Sequence, residues 1–187
     1  VKDSRMGFKD NGYRMGDSVT IIGWLKDMPA EALERGGKEF EVMVHNVVTR
    51  EPGGLSLYAK MDSLGRFTLK MPLQNTSQVF VGWKRTMVST VLEPGETYFF
   101  LHDFGTGQKL FMGNDVRLQN ELTAYPASFM NERIEHDHAT QEQAMEFLHH
   151  VKECGRRYNA ELQKRGEEHP MLSRRYIDYL TGYYRAG

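Results

Sequence analysis

The chain has a single cysteine in 187 residues, Cys154. That excludes an internal disulfide framework, a CxxC redox pair and any zinc site built from several thiolates. Charge of one sign is lacking as well: 24 basic and 25 acidic side chains, spread along the whole length, leave a formal net charge of -1. Nucleic acid and anionic lipid surfaces therefore lose the electrostatic attraction that would recruit them. Apolar runs are short, as at Val79–Val81, whereas a membrane-spanning helix needs about 20 such residues. Internal repeats and low-complexity tracts are missing too. What is present, 40% hydrophobic and 26% charged residues, is the composition of an ordinary globular chain, expected to fold and to be soluble. Its size suits one domain of about 120 residues with a helical appendage. Position 1 is Val rather than an initiator Met, which implies a processed or trimmed chain, and a removed signal peptide would leave no trace.

Residues 1–16 are polar, rich in Gly and Lys and without periodicity, and read as a flexible lead-in. Strand-like segments follow at Val19–Leu25 and Phe40–Val48, with a loop or single helical turn closed by Gly36 and Gly37 between them. LSLYAKMD and RFTLKMPL flank Ser63, Leu64 and Gly65 and predict a β-hairpin. Further strands are expected at Gln78–Trp83, Thr86–Leu92 and Thr97–Leu101. The last two are separated by Glu93-Pro94-Gly95-Glu96, a type II turn sequence. About seven short strands at this spacing predict an antiparallel β-sandwich over residues 17–123. Asn114–Leu122 has helical spacing, with Asn114 as the expected N-cap. Residues 124–187 read as a helical connector. There, Thr140–Gln143 forms a capping-box sequence, and Ala144, Phe147, Leu148, Val151, Tyr158 and Leu162 mark a long amphipathic helix ending near Gly166. Ser173–Tyr184 marks another. The fold class is thus mainly β, followed by two or three α-helices.

No catalytic centre is recognisable, and the chain alone is expected not to be an enzyme. His136-Asp137-His138 and His149-His150 offer zinc-type donors. The first group lies in a polar stretch, and the second is an adjacent helical pair whose side chains diverge by about 100°; solvated histidines and no metal are the expectation. Cys154 has Lys152, Arg156 and Arg157 nearby, and such cations lower a thiol pKa, but no flanking signature supplies the base a nucleophile needs. Gly105–Leu110 lacks the GK[ST] ending of a phosphate loop, and Asp103-Phe104-Gly105 matches only the letters of a kinase motif. Tyr176, Tyr179, Tyr183 and Tyr184, with Arg174, Arg175 and Arg185, form a candidate interaction surface of aromatic and cationic groups. Aromatics on a terminal helix otherwise pack on their own protein or on an adjoining domain. Trp24 and Trp83 invite a carbohydrate-stacking reading, set against the usual burial of tryptophan in strands.

Asp62–Leu122 carries, in order, Gly65-Arg66-Phe67, Pro72-Leu73, Val79-Phe80-Val81 with Trp83, Leu92-Glu93-Pro94-Gly95-Glu96-Thr97, Phe111-Met112-Gly113-Asn114 and Leu118-Gln119-Asn120-Glu121-Leu122. This order resembles the N-terminal region of TlpA-like bacterial envelope thiol–disulfide oxidoreductases. In that family a β-rich N-terminal domain and connecting helices precede a thioredoxin-fold domain bearing CxxC, and the chain departs from it in having neither that domain nor its cysteine pair. The resemblance implies a periplasmic or cell-envelope location, often behind a lipoprotein signal. It also implies a non-catalytic role in binding substrate or partner, in dimerisation, or in positioning a downstream thioredoxin-fold domain or redox partner. No cofactor, nucleic acid or membrane span is expected. The alternative is a free-standing ligand- or glycan-binding surface β-sandwich.

Overall fold

The computed structural model describes residues 16–31, 38–44, 55–83, 86–127 and 144–186. They fall into two compact units, divided after Pro126. The lead-in, the capping box at Thr140–Gln143 and the His136-Asp137-His138 cluster lie outside the described residues.

The first unit has eight strands: β1 Ser18–Lys26, β2 Glu39–Val44, β3 Leu55–Lys60, β4 Arg66–Pro72, β5 Ser77–Gly82, β6 Val88–Leu92, β7 Thr97–Asp103 and β8 Lys109–Met112. They form two four-stranded sheets, ordered β4-β1-β7-β8 and β3-β2-β5-β6. Alternate side chains from both sheets meet in one core, with Val19, Ile21, Phe67, Met71, Tyr98, Phe100 and Phe111 from the first and Phe40, Val42, Val79, Val81 and Leu92 from the second. Phe40 spans the layers. Its ring stacks on Phe67 at 3.9 Å and meets Phe100 at 5.8 Å, and Phe100 continues to Phe111 at 4.9 Å. The expected sandwich followed by helices is therefore the fold found.

Three details differ from the sequence reading. The strands around Ser63–Gly65 do not pair as a hairpin: β3 pairs with β2 and β4 with β1, so the turn carries the chain from one sheet to the other. The Asp62 carboxylate holds it by accepting the backbone N–H of Leu64 and of Arg66, each at 2.9 Å, while Gly65 takes φ +75°. Local alternation looks the same whether two strands pair with each other or part company. Secondly, β1 runs parallel to β7, from Thr20 opposite Thr97 to Lys26 opposite Asp103, in an otherwise antiparallel fold. The Pro94-Gly95 turn prepares this pairing. Gly95 adopts φ +83°, as a type II turn requires. Its N–H donates to Ser18 O, and Thr20 N–H donates to Glu96 O. Thirdly, the four-residue β8 is an additional strand, too short for its alternation to register.

Helix α1, Arg117–Ala124, starts later than the sequence suggested, and Val116 rather than Asn114 occupies the N-cap, without a side-chain cap. Instead, α1 uses two carboxamides to close the open side of the sandwich. Asn120 Oδ1 accepts from Phe111 N–H at 2.7 Å, and Asn120 Nδ2 donates to Phe111 O at 2.8 Å, so one side chain pairs with β8 as a further strand would. Gln119, wholly buried, donates from Nε2 to Val91 O on β6 at 3.1 Å. Leu118 and Leu122 are buried beside them.

The second unit is a helical pair, α2 Ala144–Glu168 and α3 Arg174–Ala186. Ser173 Oγ caps α3 by accepting the Tyr176 N–H at 3.1 Å. Leu162, Tyr176, Leu180 and Tyr184 are buried, and Arg165 Nη1 donates to the Tyr176 hydroxyl at 2.8 Å. α2 passes through Gly166 and ends two residues later.

Asn120→Ala removes both bonds to Phe111 and leaves its N–H and C=O unsatisfied; a loss of about 2 kcal/mol is expected in urea unfolding. Asn120→Asp, which can accept from the N–H but not donate to the carbonyl, should still lower stability relative to wild type. Gly23 lies under the Phe67 ring, where an added Cβ would sit 2.0 Å from Phe67 Cζ. Phe40 stacked on the same ring limits its retreat, so Gly23→Ala should cost about 1–3 kcal/mol in the same assay.

Candidate interaction face

On the outer side of the β4-β1-β7-β8 sheet the strand register aligns apolar side chains in two rows. One row runs Thr68, Ile22, Phe99, Met112, and the other Arg66, Trp24, Leu101, Leu110. Ile22 is 40% exposed, Met112 38% and Trp24 37%, while Phe99, Leu101 and Leu110 are half-buried. Six large apolar groups therefore sit side by side on a surface that in a simple sandwich would be polar. The opposite outer face is different. There Met43, Phe80 and Tyr58 are interspersed with Glu39, Glu41, Ser56, Gln78 and Ser89. Tyr58 donates to Glu41 at 3.2 Å and Gln78 to Ser89 at 3.1 Å. Two rows on three strands spaced about 4.8 Å apart give the apolar face roughly 200 Å².

Trp24 is held in place. Its Nε1–H donates to Leu64 O at 3.0 Å in the inter-sheet turn, which leaves its ring to offer apolar contact. Beside it a cleft of about 570 Å³ is lined by Ile22, Trp24, Arg66, Thr68 and Phe99 among others. Arg66 Nε donates to Asp62 at 2.8 Å. The Arg66 N–H, with the Arg66 guanidinium and Leu64 N–H, holds the Asp62 carboxyl below its ordinary pKa. This acid is already engaged.

The sequence candidates divide on inspection. Trp83 is buried in the core and Trp24 is exposed, so only Trp24 can present a stacking ring. Tyr176 and Tyr184 are buried in the helical unit and cannot present a surface, because their rings fill its core: Tyr184 packs on Tyr158 at 5.3 Å. Tyr179 and Tyr183 are half-buried, and burial, with the neighbouring Tyr183 and Tyr184, raises the Tyr179 hydroxyl pKa. Cys154 is buried, with His150 Nε2 3.6 Å from its Sγ, one helical turn earlier. The i to i+4 spacing carried that neighbour in the sequence. Among the described residues no three His, Cys, Asp or Glu groups gather to hold a metal ion, and no helix is long and apolar enough to cross a membrane.

The Asp103–Leu110 letters prove to be turn chemistry between β7 and β8. Asp103 Oδ1 accepts the N–H groups of Gly105 and Thr106, and Lys26 Nζ donates to Oδ2 at 2.7 Å. Lys26 in turn holds the Asp103 carboxyl below its usual pKa, and Asp103 holds the ammonium above its own. His102, 4% exposed, stacks on Phe104 at 4.0 Å, and its Nδ1 has no hydrogen-bond partner among the described residues. Burial, helped by the Lys109 charge, lowers its pKa to about 4.

Between pH 6.5 and 4 the unfolded chain holds more protons at His102 than the folded one, so this group's stabilisation is complete above that window and drains away as pH falls through it. The span is on the order of 3 kcal/mol. His102→Leu cannot take up the proton; wild type should therefore lose stability relative to this variant from pH 7 to pH 4, measured as the difference in urea midpoints. The chain matches no protein-family model, no curated protein and no solved structure, so the significance of the apolar face rests on its own residues and their geometry.

Proposed function

We propose that this chain is a non-catalytic binding module of an envelope thiol–disulfide oxidoreductase, acting in the periplasm or cell envelope. In this reading it holds a substrate or partner protein beside a thioredoxin-fold domain that carries the CxxC pair. The observation that carries the reading is the six-residue apolar face of the β4-β1-β7-β8 sheet, fixed on a two-sheet core. The residues of the resemblance also have coherent structural jobs. Gly65-Arg66-Phe67 makes the inter-sheet turn, Pro94-Gly95 seats β7 on β1, and Gln119-Asn120 closes the sandwich.

Unfolded or partly folded proteins expose apolar side chains, and a surface that collects them raises their local concentration at a tethered redox site. Such uniform binding lowers KM and leaves the chemical step alone. The test joins a CxxC-bearing thioredoxin-fold domain after residue 187 and follows reduction of a disulfide-scrambled protein. The fusion should show a KM several-fold below that of the isolated domain at unchanged kcat. Ile22→Lys with Phe99→Lys should return KM to the isolated-domain value, and equal KM values for fusion and isolated domain would overturn the proposal.

A further inference from the structure

We infer that His150 and Cys154 on α2 form an open, two-donor site for a zinc-type divalent cation. The site needs neither the apolar face nor a redox domain, because it occupies one turn of the helical unit. Spacing sets it up. His149 diverges from its neighbour around the helix, so the partner of His150 is the residue one turn on, where side chains four apart share a face. There Cys154 Sγ lies 3.6 Å from His150 Nε2. Zinc bonds of about 2.3 Å to sulfur and about 2.0–2.1 Å to nitrogen, at a tetrahedral angle, hold their donors about 3.5–3.6 Å apart. A linear ion with the same bond lengths would need about 4.3 Å. The helix thus presents the pair at the edge of a tetrahedron, with no change of backbone.

The donors select the ion. Thiolate and imidazole suit zinc and ions of similar softness, whereas calcium and magnesium take oxygen. An entrance is present as well: half-buried His150 lines a cleft of about 530 Å³ with Met145, Glu146, His149 and Glu153. Through it an ion reaches the imidazole and then a sulfur that is itself only 7% exposed. The surrounding charge is mixed and does not decide the matter. Glu146 and Glu153 border the cleft, but Glu153 is paired with Arg156. Arg157 Nη2 lies 4.0 Å from Sγ and also donates to the Tyr158 hydroxyl at 3.4 Å; that guanidinium is exposed, so water and salt screen it. No third His, Cys, Asp or Glu converges among the described residues. Water therefore completes the shell, unlike the closed four-ligand structural site or the three-ligand catalytic one, and capture of the ion is weak and reversible.

Cobalt(II) replaces zinc in such sites and shows a thiolate charge-transfer band, which histidines elsewhere in the chain cannot produce. Titrated into the whole chain, cobalt should give that band at one ion per chain. Zinc should displace it, and should slow alkylation of Cys154 by iodoacetamide about fivefold or more; magnesium and calcium should do neither. His150→Gln keeps the thiol and should abolish both the band and the protection, with circular dichroism unchanged. Cys154→Ser should also abolish the band; because Cys154 is buried and its replacement can loosen the helical pair, His150→Gln is the deciding variant. His149→Gln should leave band and protection as in wild type. Absence of the band, its survival in His150→Gln, its loss in His149→Gln, or a stoichiometry of one ion per two chains would each overturn the site.

Discussion

A sandwich of two open sheets has four edges, and each exposes backbone groups that must find partners or water. Closing those edges is the constraint on which the rest of this fold depends. On one side the chain itself turns from β3 into β4, with Asp62 fastening the corner. On the other side α1 holds β8 and β6 through the adjacent carboxamides of Asn120 and Gln119. Neither amide is replaceable by a purely apolar group, since the backbone atoms they satisfy are already withdrawn from water.

With α1 fastened to β8 and β6, the middle of the first sheet can support the surface above it. β1 has a strand on each side, and its inward residues Val19, Ile21 and Leu25 are buried in the common core. Its outward residues inherit that rigidity. Ile22 and Trp24 project from a backbone pinned on both flanks, over a glycine beneath the Phe67 ring. An apolar surface held this rigidly would lose little conformational entropy on being covered.

Much of this was legible in the sequence. Alternation located seven of the strands, Pro94-Gly95 announced its turn, and the 3.6-residue spacing of the C-terminal apolar positions gave both long helices. The apolar face was also written there, in a form that alternation overlooks. Ile21-Ile22, Phe99-Phe100-Leu101 and Leu110-Phe111-Met112 are continuous apolar runs, the pattern of strands with two apolar sides. What stayed hidden was non-local. Nothing near Thr20 indicates a parallel partner at Thr97, and nothing in LSLYAKMD says that it leaves RFTLKMPL for another sheet. Asn120 resembled any polar residue on a short helix, because its role depends on where β8 comes to lie. The tyrosines of α3 misled for the same reason: Tyr176 is polar enough for a surface until Arg165 from α2 meets its hydroxyl.

The parallel pairing of β1 with β7 has a kinetic consequence. Trp24 reaches its turn partner Leu64 across 40 residues, and Lys26 reaches Asp103 across 77. The first strand to be made thus acquires its second neighbour only after nearly the whole sheet-forming region exists. Loop closure over such distances precedes any reward from contact, so folding of this unit is slow compared with a meander of consecutive hairpins. A nascent chain lacking residues beyond β6 cannot complete the first sheet, and it stays unfinished until the Pro94-Gly95 turn brings the chain back alongside its own beginning.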